Sequence, residues 1–260
     1  MRALASAAVA AAAAATTFYL ARGKKAATKK TFTLGYWHIR GLAAPCRMLL
    51  HYANITFRDE TFEVHKKQDQ TWDRSAWFGS RKPELKKMQP LINLPYLIDH
   101  SNSLVLSQTN AILMYLARLS GLDGRNDIEA GQIDMVLAQT MDLRNIVTNM
   151  AYGSQGDVFR ENLTKHLQTV GENSYGKLAA FLGNSQYFVG DRVTVADFHA
   201  WEMIDQHELM AAKYGFASPM AAFPAMAAFH QRMRDLPELA SYFESSSSTL
   251  PVNNKMAAFT

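Results

Sequence analysis

The sequence predicts an α/β unit followed by an all-helical unit. Up to about residue 120, short apolar or alternating runs bounded by turn residues interleave with amphipathic helical segments, in the order β-α-β-α-β-β-α. From about Asn126 onward the periodicity is helical only. The chain has 260 residues, 48% of them hydrophobic, which suits one large or two smaller domains with a sizeable core.

The elements follow in order. "TFTLGYW", 31–37, alternates like a strand, and Gly41 closes the loop after it. "APCRMLLHYA", 44–53, reads as a helix, with Pro45 tolerated in its first turn. "TFRDETFEV", 56–64, is a second strand, and a charged, tryptophan-bearing segment runs on to about Met88. "YLID" and "LVL" are short strands split by the turn-rich "HSNS". Pro95 stands at the entrance of the first. Proline donates no backbone hydrogen bond, so it belongs at a strand's edge.

A helix starts near Thr109, with Ile112, Leu113, Leu116 and Leu119 on one face. Residues 127–152, 157–182, 194–211 and 221–235 read as further helices. Thr194 is placed to cap the backbone near Asp197, with Val193 and Phe198 at the flanking staple positions. The last 20 residues, beginning "SYFESSSS", read as a tail draped over the surface. "MAAF" occurs three times, ending at Phe223, Phe229 and Phe259. Two copies are expected to put core residues on one helix; three short copies do not make a solenoid.

The net charge of +4 is misleading. Six of the 27 basic residues lie in residues 1–30, which hold no acid, so the body carries 21 basic against 23 acidic residues. That argues against a general nucleic-acid surface. Cys46 is the one cysteine, so no intrachain disulfide, Cys-x-x-Cys pair or cysteine-based zinc site exists. Residues 1–30 stand apart from the fold. Ala3 to Ala21 is an uncharged run just long enough to span a bilayer, but it is mostly alanine. The basic cluster after it suits an anchor held on the cytoplasmic side, and equally a cleaved signal or transit peptide. The expectation is a membrane-anchored body in the cytoplasm or an organelle-targeted protein, and a cytoplasmic protein if the leader is inert.

Six stretches, "LGYWHIRGLAAPCRMLLHY", "DRSAW", "NLPYLID", "QTNAILMYLAR", "MDLR" and "PVNNKMA", occur in an order that resembles the mu class of the glutathione transferases, across residues 32–260. The resemblance implies a thioredoxin-like domain over 31–115 and an all-helical domain with a C-terminal tail over 125–260. It also implies a cis peptide before Pro95, which lays the Leu94 backbone against the glutathione peptide. Cis bonds are nearly confined to proline.

The remaining roles rest on the same resemblance. Tyr36 would aim its hydroxyl at the glutathione sulfur and stabilise the thiolate, the nucleophilic form. Gln108 and Thr109 precede a helix, whose free N–H groups and dipole suit the γ-glutamyl carboxylate. Thr109 replaces the family's usual serine but keeps the hydroxyl. Trp37, Arg74, Trp77 and Arg81 would hold the glycine carboxylate, with Lys82 the rival to Arg81 and a solvated charged face the plain alternative for both. Leu42 and Asn93 complete the glutathione site, and Ile39 and Tyr152 face the electrophile.

Asp142 and Tyr152 are ten residues apart on one helix. They therefore stand about 80° apart and about 15 Å along the axis, and cannot point into one small site. In the family the aspartate reaches the partner subunit's glutathione, so a homodimer is implied; the plain alternative is a contact with Arg144. Three departures stand out: His38 replaces an acid, Asn253 an aromatic, and Leu91 the phenylalanine that plugs the partner. Cys46 reads as a buried helix residue.

The function implied is conjugation of reduced glutathione, as co-substrate, to a small hydrophobic electrophile, with no metal, no other cofactor and no nucleic acid. The rival readings are a non-catalytic ligand-binding or scaffold protein on the same fold, and a glutathione-dependent isomerase or peroxidase.

Overall fold

The computed structural model of the protein describes residues 31–260. The reading of residues 1–30 lies outside them.

Strand β1 (Phe32–Trp37) is the centre of the sheet. It runs parallel to β2 (Phe57–Phe62), with Tyr36 opposite Thr61 and Trp37 opposite Phe62. Its other edge pairs antiparallel with β5 (Tyr96–Asp99), which pairs with β6 (Leu104–Ser107), giving the order β2-β1-β5-β6. Helix α1 (Ala44–Tyr52) makes the parallel crossover. The alternation expected in β1 does not sort its faces into wet and dry, because both are covered and Phe32 to Tyr36 are all buried. One face meets the main core. The other meets a second cluster of Phe62, Trp77, Leu85, Ile92, Tyr96, Ile98 and Val105. Gly35 is required in β1, since a Cβ there would overlap the Tyr96 ring.

The charged segment holds a small hairpin, β3 (His65–Lys66) and β4 (Trp72–Asp73). A π-helical turn, Ala76–Arg81, then leads into α2 (Lys82–Lys86). Helix α3 (Thr109–Ser120) ends on Gly121, which takes the left-handed conformation with φ of 68°.

Helix α4 (Asp127–Gly153) opens on Asn126, whose Oδ1 accepts from the N–H groups of Ile128 and Glu129 at 3.0 Å each. The single helix expected over 157–182 is α5 (Gly156–Val170), a π-helical turn at Gly171–Tyr175, and α6 (Gly176–Leu182). Helix α7 (Val195–Tyr214) carries the expected capping box. The Asp197 carboxylate accepts from the Thr194 N–H at 2.7 Å, the Thr194 hydroxyl at 3.0 Å and the Phe188 N–H at 2.8 Å. Burial pushes the Asp197 carboxyl up to about 6, against those hydrogen bonds. Most of α7 is buried, and Tyr52 of α1 packs edge-on against its Phe198 at 5.3 Å, so both halves share one core.

Two readings are corrected. The first two "MAAF" copies do not share a helix. The first lies in a 3₁₀ turn, Pro219–Ala222; Pro224 then starts α8 (Pro224–Arg234), which holds the second. After a further 3₁₀ turn and the short α9 (Ala240–Phe243), the tail is not draped over the surface. Val252, Asn253 and Phe259 are buried. The carbonyls of Pro251 and Val252 accept from Arg40 N–H at 2.8 Å and Gly41 N–H at 3.1 Å, and Ala258 N–H donates to Ala151 at 2.8 Å. The third "MAAF" thus has a role: its phenylalanine anchors the chain end.

Candidate active site

Tyr36 ends β1 with its side chain in the core and its phenol at the junction of the two halves. Burial pushes its pKa up, while Arg144 and a hydrogen bond from the Leu42 backbone amide act the other way. The balance leaves the phenol protonated at neutral pH, hence a hydrogen-bond donor.

Two cavities share Arg144 as a wall residue, and Tyr36 lines one of them. One, of about 270 Å³, is lined by Tyr36, Trp37, Ile39, Arg74, Phe78, Arg144, Tyr152 and the tail residues Asn253, Asn254 and Met256. The Tyr152 hydroxyl accepts from the Asn254 N–H at 3.1 Å, and burial pushes this phenol up to about 12. The second, of about 310 Å³, is lined by Leu42, Leu94, Pro95, Gln108, Thr109, Asn110, Met141, Arg144 and Asn145. The Leu94–Pro95 peptide is cis. Gln108 has φ of 76°, a left-handed conformation costing about 1–3 kcal/mol in a residue with a side chain. It precedes α3, so the first N–H groups of that helix open toward this cavity.

Ten of the expected residues therefore come together on the two walls: Tyr36, Trp37, Ile39, Leu42, Arg74, Leu94, Pro95, Gln108, Thr109 and Tyr152. Others lie elsewhere. Trp77 is buried in the second cluster, stacked on Tyr96 at 5.8 Å and 16°. Arg81 is drawn to Glu60 at 3.1 Å and Glu84 at 2.8 Å, and its guanidinium stays fully charged beside them. Tyr96 also donates to Glu60, so Arg81 belongs to a packed polar cluster and not to the cavity wall. Its rival Lys82 lies over the Phe78 ring at 5.3 Å. Asn93 and Asp142 are exposed. Thr194 and Asp197 sit at the start of α7, as the cap requires. Cys46 is buried and its thiol is pushed up to about 12, which makes it inert.

Arg144 is the residue that sequence reasoning missed. It lines both cavities, its charge acts on Tyr36 and Tyr152, and it has no carboxylate partner among the described residues. Among the described residues its guanidinium donates to Asn145 at 3.5 Å, not to Asp142. Helix geometry was a usable signal. Arg144 stands about 160° around the axis from Asp142 but only about 80° from Tyr152. Gly41 was read only as a loop residue, although it packs against the Tyr36 phenol. Among the described residues no group of three or more His, Cys, Asp or Glu side chains is placed to hold a metal, and no helix is long and apolar enough to cross a membrane.

Known proteins share this sequence and fold. Two family models match: "Glutathione S-transferase, N-terminal domain" over residues 32–118 and "Glutathione S-transferase, C-terminal domain" over 141–246. Glutathione S-transferase Mu 1 of Oryctolagus cuniculus is 35% identical over 229 residues, covering 88% of this chain and 98% of its own. Glutathione S-transferase Mu 3 of Homo sapiens is 30% identical over 230 residues, covering 88% and 95%. Among solved structures, the glutathione S-transferase Blo t 8 superimposes with a TM-score of 0.74 at 26% identity, covering 87% of this chain and 99% of its own. The pi-class glutathione S-transferase of Onchocerca volvulus gives 0.69 at 27%, with the same coverage. On these matches the chain belongs to the glutathione S-transferase family and has mu-class transferases among its relatives.

Proposed function

We propose that reduced glutathione lies along the Leu42–Leu94–Gln108–Thr109 cavity, with its sulfur at Tyr36, and that the electrophile enters between Tyr36, Ile39 and Tyr152. One observation carries this reading: the protonated Tyr36 phenol lines the first cavity and accepts a hydrogen bond from the amide of Leu42, which lines the second. The thiol proton leaves to solvent, and Tyr36 keeps its own proton and donates a hydrogen bond to the resulting thiolate. A thiol of pKa about 8.5 is mostly protonated at neutral pH, so this bond sets the fraction of nucleophile. The thiolate then forms a carbon–sulfur bond to the electrophilic carbon, which either expels a leaving group with its bonding pair or, in an addition, passes a π pair to an atom that is then protonated from solvent. The γ-glutamyl carboxylate is received by Thr109 and the amides that open α3, and the glycine carboxylate by Arg74.

Tyr36→Phe tests the reading. The variant should keep its fold and bind glutathione, but lose most activity at neutral pH. The bound thiol, titrated by ultraviolet absorbance, should show a higher pKa. An unchanged pKa would remove Tyr36 from this role.

We further propose that two subunits pair along α4, bringing Asp142 to the partner's glutathione, and that residues 1–30 set location without touching catalysis. The acid-free leader with its basic end motivates the second point. Deleting it should leave catalytic constants unchanged. Met1 or Arg2 retained in membrane fractions would indicate an anchor, a mature start near residues 22–31 cleavage. An intact leader on a freely soluble protein would defeat both.

A further inference from the structure

Arg40 follows Ile39 in the loop between β1 and α1, and it is 4% exposed. Its guanidinium donates to Glu202 through Nε at 3.0 Å and Nη2 at 2.8 Å, and to Asp205 through Nη2 at 2.6 Å. Both carboxylates belong to α7, in the helical half. Gln206 donates to Glu202 at 2.8 Å, His230 of α8 bonds Asp205 at 3.0 Å, and the His230 ring stacks on Trp201 at 5.0 Å and 6°. Burial opposes the charge on Arg40, but the two carboxylates outweigh it and hold the guanidinium firmly protonated. For a buried group this is a costly arrangement, and apolar residues of equal volume would often be no less stable.

The loop it fixes explains what the arrangement holds. Ile39, just before Arg40, lines the electrophile cavity. Gly41, just after, touches the Tyr36 ring edge and hydroxyl. Leu42 aims its backbone amide at the Tyr36 oxygen. The Arg40 carbonyl accepts from the amides of Ala43 and Ala44, at 3.1 and 3.0 Å, where α1 begins. Its N–H holds Pro251, next to the tail residues on the cavity wall.

We infer that the Arg40–Glu202–Asp205 cluster is a positioning device: it locks the β1–α1 loop to α7 so that Gly41 and Leu42 hold the Tyr36 hydroxyl at the glutathione sulfur. Arg40 does not touch the substrate and acts through its neighbours. The inference rests on the reading of Tyr36 as the thiolate's donor.

The test is the paired substitution Arg40→Met with Glu202→Met, which replaces the Arg40–Glu202 pair by apolar volume and leaves Asp205 its bond to His230. Its Tm should stay near that of the parent, and glutathione binding should change little. The bound thiol's pKa should rise by about one unit, and kcat at pH 6.5 should fall up to about tenfold, in step with the lost thiolate. Most of the rate should return near pH 9, where the thiol ionises unaided. A folded double variant with the parent's thiol pKa overturns the inference. If the double variant does not fold, Asp205→Asn, which leaves both bonds to Glu202, reads the same quantity with a smaller shift, and no shift there overturns it too. Tyr36→Phe is measured alongside. If it also leaves the thiol pKa unmoved, the reading of Tyr36 has failed; if only the cluster variants do, the positioning role alone has failed.

Discussion

Gly41 packs against the phenol of Tyr36: a Cβ built on Gly41 would stand 2.7 Å from Cε1 and 2.8 Å from the hydroxyl oxygen. The glycine also has φ of 40°, which side chains rarely adopt. Gly41→Ala must therefore push the phenol, shift the loop, or both. We expect kcat at neutral pH to fall about tenfold or more, and stability to fall by about 1–3 kcal/mol. Steady-state kinetics with a generic aromatic electrophile and a thermal melt check it. A fully active alanine variant would mean that the hydroxyl's placement does not depend on this contact.

Arg144 should behave differently. It has no carboxylate partner to lose among the described residues, so Arg144→Leu should leave stability within about 0.5 kcal/mol. Its charge faces both cavities and favours a negative sulfur near Tyr36. We expect the bound thiol's pKa to rise and kcat/KM at pH 6.5 to fall several-fold, with Arg144→Lys recovering part of the loss. Equal rates in the leucine variant at 20 mM and 200 mM salt, together with parental activity, would show that the charge is idle.

How far the sequence could be read follows from what each residue depends on. Thr194 and Asp197 lie three apart, and a capping box is a local device, so sequence alone placed it. Pro95 needed the resemblance: its bond is cis, but proline alone permits either form. Trp77 and Arg81 pack on Tyr96 and Glu60, which come from other strands, and no local pattern reveals such packing. Arg40 and Glu202 are 162 residues apart, and their pairing exists only once the halves dock. The tail misled for the same reason. "SYFESSSS" is polar and looks solvated, but the residues that matter, Val252, Asn253 and Phe259, find their partners in β1's loop and in α4 and α7.

Two buried histidines predict an acid limit. His207 donates through Nδ1 to the Met203 carbonyl at 2.6 Å, which leaves Nε2 to accept from His166 at 2.9 Å. Burial, with His166 adding to it, lowers the His207 pKa to about 3; burial and then Arg144 do the same for His199. An unfolded histidine titrates near 6.5, so as pH falls below about 6.5 the unfolded chain takes up protons that the native one refuses. Each group then costs about 1.4 kcal/mol per pH unit, down to its folded pKa. Asp197, raised to about 6, works the other way, since its protonation favours the native state as pH falls. The clean measurement is a difference: His207→Gln should be less stable at pH 7.5, yet lose stability less steeply between pH 6.5 and 4.5. Parallel curves from urea unfolding would show that His207 titrates normally.

The subunit pairing makes its own prediction. Leu91 is 78% exposed, and Ile128, Met135 and Ile146 are exposed along α4, an unusual number of bare apolar side chains for one side of a helix. Residues 31–260 should sediment at twice the monomer mass. Asp142→Ala should keep that mass and raise the KM for glutathione several-fold while leaving the thiol pKa unchanged, because the aspartate acts on binding and not on the sulfur. A monomer with full activity would take Asp142 out of the site.

The tail offers the sharpest separation of the two substrates. Phe259 is 2% exposed and packs on Tyr214 at 6.3 Å, with Lys213 over its ring at 5.3 Å. Its carbonyl accepts from Asn253 at 3.1 Å, and the Ala258 carbonyl beside it accepts from the Tyr214 hydroxyl at 2.9 Å. A core phenylalanine cut to alanine costs about 3–5 kcal/mol, but a chain end can respond by local opening and need not unfold the domain. Phe259→Ala should therefore lower Tm only slightly while freeing residues 251–260. Asn253, Asn254 and Met256 share a cavity with Ile39 and Tyr152, whereas the Gln108 cavity is built without the tail. The KM for the electrophile should rise, the KM for glutathione should stay, and amide exchange should speed up in the tail alone. A fall in kcat at neutral pH with both KM values kept would show instead that the tail supports Tyr36 itself, through the bonds from Arg40 and Gly41 to Pro251 and Val252.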